Sequence, residues 1–338
     1  MIIPDASVIS KWAAKKSQSI RVADIISMAT IPPSAGLSKP DDATIYWRMR
    51  GDRMRDCASH IIYNYCPDCG SLHIARTNLC RDRLCPICSW RLAMQRTGEM
   101  MAVLSNLADG GRTVHAAMLT MTVRNVPLSG LGDAITAITD AWGRLRKRAI
   151  VRKWVAGYAR SIEITAGSHN TYHPHIHVMV IWADGYAKHI TQRALCDMWR
   201  DALRADYTPI CDIRSAYNGS ATPSDDAWRG VMAAAIECCK YALSGKITTT
   251  ISAPDDLAAI ALALRGRRLI AYGGIIADTR ARLGLHDDDS PSDVGDITID
   301  CPRCGAAMIQ LGYTWAAGGY MLGLMPSAVS ISAIEPPV

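Results

Sequence analysis

Three groups of residues in this chain have the types and spacing to do chemistry. His173, His175 and His177 alternate with Pro174 and Ile176 in the stretch YHPHIHVMV. Side chains on a strand alternate faces, so His175 and His177 project the same way, while Ile176, Val178, Val180 and Trp182 take the other, apolar face. Two imidazoles at adjacent same-side positions can share one divalent cation. The segment SIEIT, Ser161 to Thr165, reads as the preceding strand, with Glu163 left among polar neighbours. A hairpin whose tip lies near Asn170 would set Glu163 opposite His177 and add a carboxylate as third ligand. His/His/Glu with open positions suits Mg²⁺ or Mn²⁺ bound to a phosphate. The plainer alternative is a set of exposed histidines on a half-buried strand.

Glu237 and Tyr241 form the second group. They are four residues apart and stack on one face if residues 225 to 243 are helical. Trp228, Met232, Ala235, Cys239 and Leu243 would make the apolar stripe nearly opposite. A phenol with its ordinary pKa near 10 is a weak nucleophile in water. It becomes a useful one when the phosphodiester it attacks is polarised, and Glu237 could then act as general base. An ordinary surface glutamate beside a half-buried tyrosine is the competing reading. Tyr172, next to the histidines, is a rival nucleophile.

The third group is cysteine. Twelve are present, and three CxxC pairs stand out: Cys66/Cys69, Cys85/Cys88 and Cys301/Cys304. Clustered pairs read as metal sites in a reducing compartment rather than as a disulfide framework. Cys66 and Cys69 followed by Cys85 and Cys88 have the spacing of a structural Zn²⁺ ribbon. Cys80 is a rival ligand, and Cys57, His60 and His73 are weaker ones. Cys301 and Cys304 make half a knuckle that needs two further ligands, from another chain or from His286. Cys196, Cys211, Cys238 and Cys239 read as core.

The elements that must position these groups follow from pattern. Strands are expected at Val114 to Val123, Ala159 to Ala166 and His175 to Trp182. Helices are expected at Asp133 to Trp154, Thr191 to Ala205, Asp225 to Leu243 and Leu257 to Leu264. The fold class implied is α+β, a central antiparallel sheet flanked by helices, with a small zinc-stapled module. Residues 1–45 read as an N-terminal extension and linker, 46–98 as the Cys-rich module, 99–249 as the catalytic domain and 250–338 as a C-terminal region. Apolar residues make up 49% of the chain, enough for a real core, and with Phe absent Met, Leu, Ile and Trp must fill it. The net charge of +6 fits a polyanion partner without requiring one. Basic clusters at Arg48 to Arg55, Arg144 to Lys153 and Arg265 to Arg268, with Trp47, Trp90 and Trp154 as stacking surfaces, lean toward DNA. No stretch is apolar enough to span a membrane and no signal peptide is apparent, so a cytoplasmic protein is expected.

Together these pieces resemble the HUH endonucleases, and within them the rolling-circle replication initiators (Rep proteins) of small plasmids, the class with a single tyrosine plus a glutamate. Four stretches carry the resemblance: LTMTVRNVP (Leu119 to Pro127), SIEIT with YHPHIHVMV (Ser161 to Val180), ECCKYALSGK (Glu237 to Lys246) and CRDRLCPICSWRLA (Cys80 to Ala93). Their order and rough spacing match over about residues 48 to 246. The resemblance implies that His175, His177 and Glu163 bind the catalytic metal. It implies that Tyr241 attacks the origin phosphate, giving a 5′-phosphotyrosine and a free 3′-OH that primes a host polymerase. Glu237 would activate water for the terminating cleavage. The implied partners are single-stranded and duplex origin DNA, a host helicase and polymerase, and a second copy in a homodimer. The implied fold is like a circularly permuted RNA-recognition fold. The region beyond residue 250 has no evident counterpart. Other readings are a transposase or relaxase of the same chemistry, and a non-catalytic zinc-ribbon DNA-binding protein. The latter leaves the histidines and the Glu237/Tyr241 pair unexplained.

Overall fold

The structure, a computed structural model, describes residues 6–33, 40–110, 114–168, 170–183, 190–215, 225–239, 251–285, 291 and 300–323. Its centre is an antiparallel sheet in the order β7-β3-β6-β5-β8. These strands are β3 (Ala116–Thr122), β5 (Val155–Ala166), β6 (Thr171–Trp182), β7 (Cys211–Ser215) and β8 (Ile270–Gly274), and the short β4 (Val126–Pro127) pairs with the start of β6. The α+β class expected from the sequence is the class observed.

The period-two pattern of β6 decides how the sheet is covered. Ile176, Val178, Val180 and Trp182 face a core shared with α4 (Leu131–Leu145), α6 (Gln192–Leu203) and Pro254–Ala263, here α8. Met179 and Ile181 face the opposite way, into a second core with Met118 and Ala159. That core is closed by α3 (Pro86–Asp109), α7 (Asp225–Cys239) and Ile275–Arg282, here α9. The histidines share this second face.

β5 and β6 are joined by a three-residue loop. Gly167 N–H donates to Thr171 O at 2.8 Å, Thr171 N–H donates to Ser168 O at 3.2 Å, and Asn170 takes a left-handed φ of 54°. This is the known solution for a three-residue hairpin loop, and Asn tolerates that conformation. It centres the hairpin at position 169, so Glu163 pairs with His175 and Ser161 with His177. The expected register, Glu163 opposite His177, is thus displaced by one same-face step.

Two other expectations change. The helix expected from Asp133 to Trp154 breaks after Leu145, and Ala149–Trp154 forms a separate α5. Arg144, Arg146, Lys147 and Arg148 lie within about one turn there, and like charges stacked on one helix oppose its continuation. The expected helix at Thr191 begins one residue later because Thr191 caps it, its hydroxyl accepting from Ala194 N–H.

The ends of the chain are also more integrated than their composition suggests. Residues Ala6–Ile26 form α1, which buries Trp12, Val22, Ala23 and Ile26 against α2 (Pro40–Asp56), so this stretch is core rather than extension. Beyond residue 250, β8 completes the central sheet by pairing with β5, so the boundary expected at 249/250 cuts through one folding unit. A second antiparallel sheet, β10-β9-β1-β2, joins β1 (His60–Tyr65) and β2 (Leu72–Thr77) to β9 (Ile309–Ala316) and β10 (Gly319–Gly323).

Candidate active site

Glu163 sits between two imidazoles. Its Oε2 lies 3.0 Å from Nε2 of His177 and 3.4 Å from Nε2 of His175. The strand register fixes this: Glu163 is directly across from His175 and one same-face position from His177. Burial would raise the carboxyl, but the hydrogen bonds and charge of His175 and His177 outweigh it and hold the group down at about 2.

The far side of each ring is also engaged. His175 Nδ1 is 3.2 Å from the carbonyl of His173, which can only accept, so that nitrogen carries the proton. The Nε2 of His175 faces Glu163. His177 Nδ1 lies 3.1 Å from Thr120 Oγ1, on the strand that pairs with β6 at that row. Each Nε2 can donate a proton to the carboxylate, and with those protons lost the two rings and the carboxylate would turn three donor atoms toward one cation. The ligand atoms of Glu163, His175 and His177 all lie within 4.8 Å of one another. Cis ligands of an octahedral ion of about 2.1 Å bond length are separated by about 3 Å, which is the spacing seen at Glu163 and His177. The donor set therefore fits a small divalent ion. His173 stays outside this cluster and stacks on His175, ring centroids 5.2 Å apart.

The end of α7 meets the same sheet. Cys238 is fully buried, and its thiol donates to Ala159 O at 3.1 Å, with His177 O 3.9 Å away. Val231, Ala234, Ala235, Cys238 and Cys239 form the buried stripe. The stripe expected from the sequence is thus rotated. Glu237 is half-buried beside Cys238. Tyr241 and Leu243 lie outside the described residues, as does the side chain of Trp228.

The cysteines divide differently from the single ribbon expected. Cys66 and Cys69 are not with Cys85 and Cys88. One cluster is Cys57, Cys80, Cys85 and Cys88, and the other is Cys66, Cys69, Cys301 and Cys304. Spacing alone favoured the nearest two CxxC pairs. The fold instead brings the turn after α2 and the loop before α3 together, with Cys85 and Cys88 framing the first turn of that helix. In this first cluster Cys57–Cys88, Cys80–Cys88 and Cys57–Cys85 sulfurs are each 3.6 Å apart. Tetrahedral zinc with bonds of about 2.3 Å sets sulfurs about 3.8 Å apart, whereas a disulfide needs about 2.05 Å. The rivals Cys80 and Cys57 are thus in the cluster, while His60 and His73 are not. Lys16, buried beneath it, donates to the carbonyls of Arg55 (2.6 Å) and Cys57 (2.7 Å). Its cation lies beside thiolates that would carry net negative charge around a divalent ion.

Several residues expected to touch DNA are committed elsewhere. Arg50 pairs with Asp82, Nη2 at 3.0 Å from Oδ1. Arg265 donates to Pro33 O, Arg267 to Gly132 O and Ala263 O, and Arg144 to Ala202 O. Trp47 is fully buried, its indole N–H donating to Ile31 O. Arg48, Arg53, Arg146, Lys147 and Arg152 are exposed. Thr120, whose hydroxyl meets His177, was missed as a site residue, although it shares the row of His177 on β3. Its signal lay in strand pairing, which no local spacing displays.

Comparison with known proteins places this chain in a lineage. A family model described as "Replication protein" matches residues 71–319. The chain belongs to this family of replication proteins, the plasmid rolling-circle initiators that its motifs resemble. Its match extends well past residue 250, so the C-terminal region does have a family counterpart. "Protein rep" of Streptococcus pneumoniae serotype 2 is 28% identical over 280 residues, covering 81% of this chain and 80% of that protein. "Protein rep" of Bacillus amyloliquefaciens is 30% identical over 262 residues, covering 72% and 75%. "Protein rep" of Lentilactobacillus hilgardii is 29% identical over 248 residues, covering 71% and 77%. No solved structure matches. A replication initiator of this kind binds DNA, and among the described residues no helix is long and apolar enough to cross a membrane.

Proposed function

We propose that this replication protein opens its origin by nicking one DNA strand with Tyr241 and remaining attached to the 5′ end. The observation that carries the reading is the convergence of one Glu163 oxygen and the Nε2 atoms of His175 and His177 on one point of the sheet. These three residues would hold Mg²⁺ or Mn²⁺, which when bound polarises the scissile phosphate and neutralises its charge. The cluster Cys57/Cys80/Cys85/Cys88 would hold a structural Zn²⁺.

The chain's own groups do the rest. Tyr241 is three residues beyond Cys238, whose thiol touches the backbone of β5 and β6. Three residues span at most about 11 Å, and this short tether supports the assignment. The phenolic oxygen gives up its proton and attacks phosphorus, the P–O3′ bond breaks, and the leaving 3′-oxygen takes up one proton in return, so the step is proton-neutral. The products are a 5′-phosphotyrosine and a free 3′-OH, and transesterification conserves the bond energy. Glu237, half-buried on the same helix, would take the proton from water in the terminating cleavage.

The test is incubation with a single-stranded oligonucleotide bearing the nick site and Mn²⁺. The wild-type protein should form a covalent adduct that withstands SDS. Tyr241→Phe should bind DNA without forming it, and His175→Ala with His177→Ala should also form none. An adduct surviving in Tyr241→Phe would remove that nucleophile. Glu237→Ala should still nick but fail to release by hydrolysis.

A further inference from the structure

We propose that this chain carries a second structural zinc in a ribbon assembled from its two ends, with Cys66 and Cys69 as one half and Cys301 and Cys304 as the other. The inference is independent of the nicking chemistry.

The two halves are built alike. Each is a Cys-Pro-x-Cys-Gly turn, Cys66 to Gly70 and Cys301 to Gly305. Each closing glycine has a left-handed φ, 71° at Gly70 and 73° at Gly305. Gly70 N–H donates to Cys66 O at 3.0 Å, and Gly305 N–H donates to Cys301 O at 2.8 Å. Cys66 N–H donates to Ser71 O at 2.9 Å, and Cys301 N–H donates to Ala306 O at 2.8 Å. Two turns of the same backbone form, each presenting two thiols, face each other. Cys66 and Cys304 sulfurs are 3.5 Å apart, as are those of Cys69 and Cys301. That spacing is too long for disulfides and close to the edge of a zinc–thiolate tetrahedron.

The strands behind the turns are already joined. β1 pairs with β9 from His60↔Thr314 to Tyr65↔Ile309, so the hairpin β9–β10 continues the sheet begun by β1–β2. Within β9–β10 the large side chain that is buried is Tyr313, while Ile309, Met321 and Leu322 are exposed. A hairpin with so little core is marginal by itself. A metal gripping both knuckles supplies the missing constraint. It also closes a loop of more than 200 residues, since Cys69 and Cys301 are 232 positions apart. Every strand of the central sheet lies inside that loop.

The experiment counts metal in the full-length chain carrying His175→Ala and His177→Ala, so that the imidazole site adds nothing. Native mass spectrometry should show two zinc ions per chain, and X-ray absorption at the zinc edge should show sulfur ligands alone. Eight thiolates are needed for that result. Cys301→Ser with Cys304→Ser should leave one zinc, as should Cys57→Ser with Cys80→Ser. Cys196→Ser with Cys211→Ser should leave two. A single zinc in the parent chain, or nitrogen and oxygen among the zinc ligands, would overturn the proposal without recourse to any cysteine variant. So would retention of two zinc ions in Cys301→Ser with Cys304→Ser.

Discussion

Thr120 Oγ1 lies 3.1 Å from Nδ1 of His177, on the side of the ring away from Glu163. A Thr120 hydroxyl that accepts from Nδ1–H favours the tautomer whose Nε2 is free to bind a cation. Partners of this kind fix the tautomer and orientation of a metal-binding histidine, and losing one typically costs 10- to 100-fold in affinity. Thr120→Val keeps the shape of the side chain and removes the acceptor. Its Mn²⁺ affinity, measured calorimetrically, should fall by about 10-fold or more, and adduct formation should recover at higher Mn²⁺. Unchanged affinity would show that the ring is held by other means.

The hairpin loop sets which carboxylate reaches the imidazoles, and Asn170 sets the loop. Its φ of 54° suits Asn or Gly and opposes β-branched residues. Asn170→Val should cost on the order of 1–2 kcal/mol, read from urea unfolding, while Asn170→Gly should be close to neutral. Equal stability of the two variants would mean the loop does not hold the register.

Gly274 links β8 to α9 with φ 58° and ψ −145°, a conformation that is essentially glycine's alone. A Cβ there would also fall 2.1 Å from Ala156 O, which is backbone and cannot swing aside. Gly274→Ala should therefore lose about 3 kcal/mol or more of stability. The unfolding midpoint checks this, and a wild-type midpoint would show that β8 is not locked onto β5.

Lys16 is buried and donates to two carbonyls beneath the first cysteine cluster. Lys16→Met fills similar volume but leaves both acceptors without their charged donor, a loss of roughly 2–3 kcal/mol. The same variant should release zinc to a chelator faster, followed with a colorimetric zinc indicator. Release at the wild-type rate would separate the lysine from the metal site.

The convergence of Glu163, His175 and His177 was readable from local pattern because strands expose their period directly. The alternation around His175 gave the face, and the neighbouring SIEIT gave the carboxylate. The pairing of Glu163 with His175 was not readable, because the loop centre depends on the backbone of Asn170, which composition does not reveal. The cysteine grouping failed for a related reason. Nearness in sequence favoured Cys66/Cys69 with Cys85/Cys88, whereas the partners that fold beside Cys66 and Cys69 lie more than 200 residues away. α1 was hidden because Lys11, Lys15, Lys16 and Arg21 dilute its apolar face, although Trp12 and Ile26 are fully buried.

The position of β8 has a practical meaning for anyone shortening the chain. β5, which bears Glu163, is an interior strand only because a segment from beyond residue 250 lies against it. A protein cut at that point would present β5 as a bare border, its amide and carbonyl groups open to whatever extended backbone comes near. Such borders recruit one another, so the truncated protein should be lost to self-association rather than to any defect at Glu163, His175 or His177.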